Sequence, residues 1–291
     1  MLRALLKTMR PRQWSKNVVV LAPLLFDRQL LNGPALARTL AAMLLFCMIA
    51  STIYLINDLA DLAADRQHPK KRLRPIASGL LPIATAKTAA VILFLVTITL
   101  SHLLAPAFAA IIFAYFLMNL AYSKWLKHIT FLDVLILAAG FVLRVAGGIS
   151  VIHVQLFSPW LYVVITLGAL YLGFGKRRAE LALLADSANV TRRVLDGYSL
   201  PLLDQLITIV SSCTIVAYSL YTFSSPVITQ NHIMMLTIPF VLYGVFRYLY
   251  LIQVKNDGGA PEEILLVDRP IQAAILLWGI AIFIILYIVD A

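Results

Sequence analysis

Asn57, Asp58, Asp61 and Asp65 close a long apolar run and are followed at once by His68, Pro69, Lys70, Lys71, Arg72 and Arg74. On a helix advancing about 100° per residue, steps of three, four and seven return to the same side, so Asp58, Asp61 and Asp65 share one face. Carboxylates held together repel each other, and a divalent cation among them relieves the repulsion. An all-oxygen donor set completed by the Asn57 amide suits hard Mg²⁺, which keeps part of its shell for substrate phosphates. Asn57, Asp58, Asp61 and Asp65 are therefore the candidate metal ligands, with Asp58 and Asp61 the candidate catalytic pair. Lys70, Arg72 and Arg74 stand where they could hold the phosphates. His68 has no second His nearby, which argues against zinc.

A second polar cluster has the opposite sign. After Tyr171, Gly173 and Gly175, the run Lys176, Arg177, Arg178 and Glu180 presents three cations and one carboxylate. Arg offers a planar fork to phosphate oxygens and Lys a point charge, so the mixture suits a phosphate gripped from several directions. The plainer alternative is the basic flank that fixes the orientation of a membrane span.

Arg144 lies about a dozen residues into an apolar stretch, too deep to snorkel easily, so a buried partner or an anionic ligand is expected for it. Asp133 is three turns away on the same stretch and cannot be that partner within one helix. Gly147 and Gly148 beside it would let another backbone approach closely. Tyr122 with Lys124 and Lys127, and Arg247 with Tyr250, sit at span ends, where aromatic and basic residues commonly serve as anchors. Tyr198 and Asp204 flank the start of a later span and could face the same polar region.

The elements that must position these groups follow from composition. Of 291 residues, 61% are hydrophobic and 13% charged, in repeated apolar runs that a water-soluble core of this length would not need. The reading is an all-α polytopic membrane protein, a single domain over 1–291. About nine spans are expected, near 17–32, 36–58, 83–103, 106–122, 131–152, 159–175, 200–222, 233–252 and 271–289. Residues 1–16 scatter Arg3, Lys7, Arg10, Arg12 and Lys16 among apolar residues, as an interfacial amphipathic segment does and a signal peptide does not.

With the N-terminus cytoplasmic, most of the 24 Lys and Arg fall on the inner side, and only Arg28 and Arg38 fall outside. The outer connections 153–159 and 224–232 then carry no Lys or Arg, and an odd number of spans puts Ala291 outside. The inner loops 59–82, 123–130, 176–199 and 253–270 would form a polar cap. A net charge of +10 distributed between apolar spans reads as topology and headgroup or phosphate contact rather than nucleic-acid binding. Cys47 and Cys213 lie inside apolar runs and have no metal or disulfide spacing. Internal duplication is faint: the second and sixth spans both end in a charged loop.

The motif Asn57, Asp58, Asp61 and Asp65, with His68, Pro69, Arg74, Pro75, Ser78 and Gly79, resembles the first aspartate-rich motif of the UbiA superfamily of intramembrane prenyltransferases. That resemblance implies a bundle of about nine helices. More narrowly, Arg10, Pro11, Gln13, Trp14, Lys16 and Asn17, then Phe141 to Gly148, then Tyr171 to Glu180, resemble its decaprenyl-phosphate phosphoribosyltransferase branch. Aromatic prenyltransferases of the superfamily carry a second acidic motif after span six; here that place is basic and keeps only Glu180.

The branch resemblance implies Mg²⁺-dependent transfer of a phosphoribosyl group from 5-phosphoribosyl 1-diphosphate to decaprenyl or another polyprenyl phosphate, feeding arabinose donors for cell-wall building. It implies diphosphate on Mg²⁺ at Asp58, Asp61 and Asp65, and the 5-phosphate against Lys176 and Arg177. Lys16 and Arg144 would guide the lipid phosphate or the leaving group. Two alternatives stay open: a UbiA-type enzyme moving a prenyl chain to an aromatic or other small acceptor, and a carrier or channel. The second would need polar residues through the bilayer, whereas these gather at one side. Homo-oligomers also stay open.

Overall fold

The computed structural model describes residues 1–154, 158–185, 193–224, 232–255, 259, 261, 264 and 267–289. Ala291 and parts of the expected loops 153–159, 176–199, 224–232 and 253–270 lie outside them. Among the described residues there is no strand, and eight helices are long and apolar enough to cross a membrane. The chain is a multi-pass integral membrane protein.

In chain order the helices are α1 (Leu2–Met9), α2 (Ala22–Phe26), α3 (Gly33–Ala60), α4 (Leu62–Gln67), α5 (Ile83–Leu104) and α6 (Pro106–Lys124). They continue as α7 (Leu132–Val151), α8 (Pro159–Ala185), α9 (Leu200–Ser224), α10 (Ile238–Gln253) and α11 (Arg269–Ile284). Six spans fall within α3, α5, α6, α7, α8 and α9; a seventh runs through a 3₁₀ turn into α10 over Ile233–Gln253, and the eighth extends α11 through a π segment over Arg269–Val289. They correspond to the second through ninth expected spans.

The first expected span, 17–32, is corrected. A 3₁₀ segment Pro11–Leu21 and the five-residue α2 occupy most of it. Pro23 brings no N–H, Asn17 is buried among polar partners, and Arg28 turns the chain at φ 57°, a left-handed conformation that ends a helix in a non-glycine residue.

The chain divides into two compact units. The first comprises Met1–Leu25, Gln29–Lys124 and Leu143–His153. α3 is its central element: Asn32 caps it by accepting from the Ala35 N–H at 3.3 Å, and Pro34 occupies its first turn. Phe46 meets Phe108 and Tyr115 edge-on, at 5.7 and 5.5 Å between centroids. Arg38 donates to the Leu104 and Val151 carbonyls, each at 2.7 Å, supplying donors to the carbonyl ends of α5 and α7.

Gly148 lies against the Val20 carbonyl and Gly147 against the Phe46 ring, the close approach expected for this glycine pair. A methyl at 148 would run into the Val20 oxygen. Gly148→Ala is expected to cost about 1–3 kcal/mol, read as a lowered melting temperature of the detergent-purified protein; an unchanged melt would contradict this packing.

The second unit comprises Phe26–Arg28, Trp125–Val142 and the described part of 154–291. α8 packs on α9, with Val134, Tyr171, Phe174, Leu203, Ile207, Tyr248 and Ile252 in the core. Tyr171 donates to the Val245 carbonyl at 2.8 Å and meets Tyr248 edge-on. Its hydroxyl is thus satisfied inside apolar surroundings.

Candidate active site

The acidic stretch is not one continuous helical face. α3 ends at Ala60, Asp61 leaves helical geometry at φ −88° and ψ 5°, and α4 restarts at Leu62. The break buries Asp58 and Asp65, at 3% and 2% exposure, and leaves Asp61 exposed. Asn57 is half-buried.

Two guanidiniums hold the buried pair. Arg74 Nη1 donates to Asp58 Oδ1 at 3.1 Å and to Asp65 Oδ2 at 2.7 Å. Arg10 Nη2 donates to the same Asp58 Oδ1 at 2.6 Å and lies over the Tyr54 ring at 4.8 Å. Charge-assisted bonds of this length are the stronger kind.

Local turns explain how these groups arrive. Arg10 adopts a left-handed conformation, φ 54°, between α1 and the 3₁₀ segment. Trp14 ties that segment to α3 by donating to Ser51 Oγ at 3.1 Å. Arg74 follows the 3₁₀ turn Lys71–Leu73. His68 Nδ1 accepts the Lys70 and Lys71 N–H groups at 3.2 and 3.3 Å, so this histidine shapes the turn before Arg74.

A cavity of about 240 Å³ opens beside the pair, lined by Lys7, Thr8, Arg10, Asp58, Lys70, Leu73, Arg74 and Pro75. Four cations and one carboxylate line it, which is the balance an anion needs. Arg72 is exposed on the same loop. Lys7 and Arg10 were not among the candidate site residues; the signal for them is the basic spacing of the amphipathic start and Arg10 directly before Pro11.

Among the described residues no group of three or more His, Cys, Asp or Glu is placed to hold a metal ion. The Asp58 and Asp65 oxygens nevertheless converge on a single cationic nitrogen, and every donor is oxygen. The pair therefore fits a hard divalent cation in charge and donor type, with Asp61 and Asn57 adjacent in sequence.

Arg144 is buried at 7% exposure. Its Nε donates to Asn17 Oδ1 and its Nη2 to Tyr115 OH, both at 2.7 Å, and it lies over the Tyr115 ring at 4.9 Å. Asn17 in turn donates to Cys47 Sγ at 3.2 Å. The partner expected from burial is present, supplied by α6 and the 3₁₀ segment. Lys16 and Tyr122 are half-buried in the same unit.

In the second unit the basic run divides. Arg177 is 1% exposed; its Nε donates to Asp133 Oδ2 at 2.5 Å and its Nη1 to Glu180 Oε2 at 2.6 Å. Tyr198 donates to the other Asp133 oxygen at 2.7 Å and accepts the Phe131 N–H at 2.8 Å. Burial, then the bond to Asp133, pushes the Tyr198 hydroxyl up, so it stays protonated and donating at neutral pH.

Arg178 donates to Asp204 at 2.6 Å and to the Ile252 carbonyl at 3.0 Å. Lys176 and Lys127 are half-buried. Arg247 pairs with Asp268 at 2.9 Å and lies over Tyr250, and this bond holds the Asp268 carboxyl below its ordinary range. Asp268 also caps α11 by accepting the Ile271 N–H at 3.0 Å.

An all-α membrane protein with buried carboxylates beside a cavity lined by cations defines the class. The chain belongs to the UbiA prenyltransferase family, whose family model matches residues 21–266. It is 35% identical to the decaprenyl-phosphate phosphoribosyltransferase of Corynebacterium glutamicum, over 98% of this chain and 87% of that one. It is 36% identical to the protein of the same name from Mycolicibacterium smegmatis, over 94% of this chain and 89% of that one. The solved structure of a UbiA homolog from Archaeoglobus fulgidus bound to GPP and Mg²⁺ matches with a TM-score of 0.73 at 16% identity, covering 98% of this chain and all of that one.

Proposed function

We propose that the protein transfers a 5-phosphoribosyl group from 5-phosphoribosyl 1-diphosphate to a polyprenyl phosphate, decaprenyl phosphate being the acceptor its relatives' name indicates, with release of diphosphate. The observation that carries this reading is the identity to decaprenyl-phosphate phosphoribosyltransferases over nearly the whole chain. The cavity beside Asp58, with Lys7, Arg10, Lys70 and Arg74 on its walls, supports it as a receptor for the diphosphate end of the donor.

Asp58 and Asp65, with Asp61 and Asn57 beside them, are the residues that would hold Mg²⁺. Bound there, the ion would neutralise charge growing on the departing diphosphate. The chain's own residues do the rest. Arg10 and Arg74 face the leaving phosphates and stabilise them as the bond from the anomeric carbon to the diphosphate oxygen breaks, its electron pair leaving with the diphosphate. The lipid phosphate oxygen supplies the pair for the new bond to that carbon.

That oxygen is already ionised near neutral pH, so no strong general base is required and alignment dominates. Arg144, held by Asn17 and Tyr115, and Lys16 are the candidates for guiding the lipid phosphate. The enzyme sits in the cell membrane with its N-terminus and active site cytoplasmic, on the strength of the Lys and Arg distribution.

The test is purified protein with Mg²⁺, polyprenyl phosphate and donor labelled in the ribose, run beside labelled prenyl diphosphate with an aromatic acceptor. Label is expected in the lipid from the ribosyl donor. Transfer only from the prenyl donor would overturn the reading in favour of prenyl transfer.

A further inference from the structure

The carboxylate pair and the guanidiniums that neutralise it differ in one respect. Asp58 and Asp65 are buried at 3% and 2%, whereas the side chains of Arg10 and Arg74 are 33% and 29% exposed. The acids are enclosed and the cations partly face solvent. Both guanidiniums also line the cavity, so a small rotation would carry their donors from carboxylate to a ligand within it. Arg10 rests over the Tyr54 ring at 4.8 Å, a contact that keeps its guanidinium at the rim if it leaves Asp58.

We propose that Arg10 and Arg74 are built-in counter-cations that hold Asp58 and Asp65 until a divalent cation takes their place, and then hand their donors to the phosphate oxygens of a diphosphate in the cavity. Lys7 and Lys70, which also line the cavity, add point charge. This rests on the proposed function in assigning the diphosphate to a ribosyl donor; the hand-over itself requires only a diphosphate group. Arg10 is the residue to test, since it contacts Asp58 alone of the pair and is the partly exposed partner of the bond.

Competition for one carboxylate and attraction to one anion have opposite signs. Removing the competing cation tightens metal binding, while removing the donor weakens anion binding. Hydrogen bonds to charged groups carry enough free energy for changes of about tenfold. Mn²⁺ binding to the full-length protein, measured by calorimetry without other ligand, should tighten by about tenfold in Arg10→Gln. Binding of inorganic diphosphate at saturating Mn²⁺ should weaken by about the same factor, and Arg10→Lys should lie between on both. Shifts of the same sign, or no shift in Mn²⁺ affinity, would overturn the hand-over.

A second measurement uses the wild-type protein and needs no variant to fold. Phenylglyoxal labelling of Arg10, quantified by mass spectrometry, should rise on Mn²⁺ addition and fall when diphosphate follows. Labelling that ignores both additions would overturn the proposal. Repeating the diphosphate arm with 5-phosphoribosyl 1-diphosphate separates the two ideas: binding of inorganic diphosphate alone, with none of the ribosyl donor, sinks the proposed function and leaves the hand-over standing.

Discussion

Asp58→Asn is expected to lower phosphoribosyl transfer by about 10²–10³-fold while the protein remains inserted and folded. The substitution keeps the shape of the side chain and removes the charge on which Arg10 and Arg74 both converge, at 2.6 and 3.1 Å. Its stability cost is small because those two guanidiniums are about a third exposed and regain water when the carboxylate is lost. Turnover should therefore collapse with little change in melting temperature, measured on the same detergent-purified sample. Asp61→Asn isolates the metal role further, because Asp61 is exposed and contributes little packing. Near-normal turnover in both variants would contradict the metal assignment.

Arg177→Ala is expected to act on stability instead. Arg177 and Asp133 are 2% and 0% exposed at the side chain, joined at 2.5 Å, and Arg177 also holds Glu180. Neither partner can recover hydration when the other is removed, so breaking the pair leaves a buried carboxylate and costs about 3–5 kcal/mol. A large fall in melting temperature or in folded yield is the expected measurement. Lys176→Ala is the internal comparison: half-buried beside Arg177, it should leave the melt nearly unchanged. An Arg177→Ala protein with a wild-type melt would contradict the scaffold role.

Sequence pattern carries as far as length and hydropathy set an element, and stops where tertiary partners do. The eight long apolar helices are legible because length and hydropathy alone set them. The stretch 17–32 is not, because its conformation depends on a tertiary event: Asn17 is drawn inside by Arg144, 127 positions away, and by Cys47. Asp58 and Asp65 are legible as neighbours by helical spacing, and both accept from Arg74 Nη1. The reason differs from the one the spacing suggests, since the helix breaks at Asp61 and Arg74 draws the two acids together.

The basic run after Gly175 shows the same limit. Three consecutive cations look equivalent in sequence, yet Arg177 is tied to Asp133 and Arg178 to Asp204, carboxylates 44 and 26 positions away. Charge type is local information, whereas the identity of a charge's partner is set by packing. Lys7 and Arg10 illustrate the converse. Their amphipathic spacing reads as membrane contact, and both also line the cavity beside Asp58.

On the proposed function, the buried carboxylates of the first unit would hold a cation carrying the diphosphate of a ribosyl donor. Electron–nuclear double resonance on the protein loaded with Mn²⁺ and 5-phosphoribosyl 1-diphosphate tests it most directly. A ³¹P coupling from directly bound phosphate, present in the wild type and lost in Asp58→Asn, is the predicted result. An unchanged ³¹P coupling in Asp58→Asn, or its absence from the wild type with donor bound, would contradict the account.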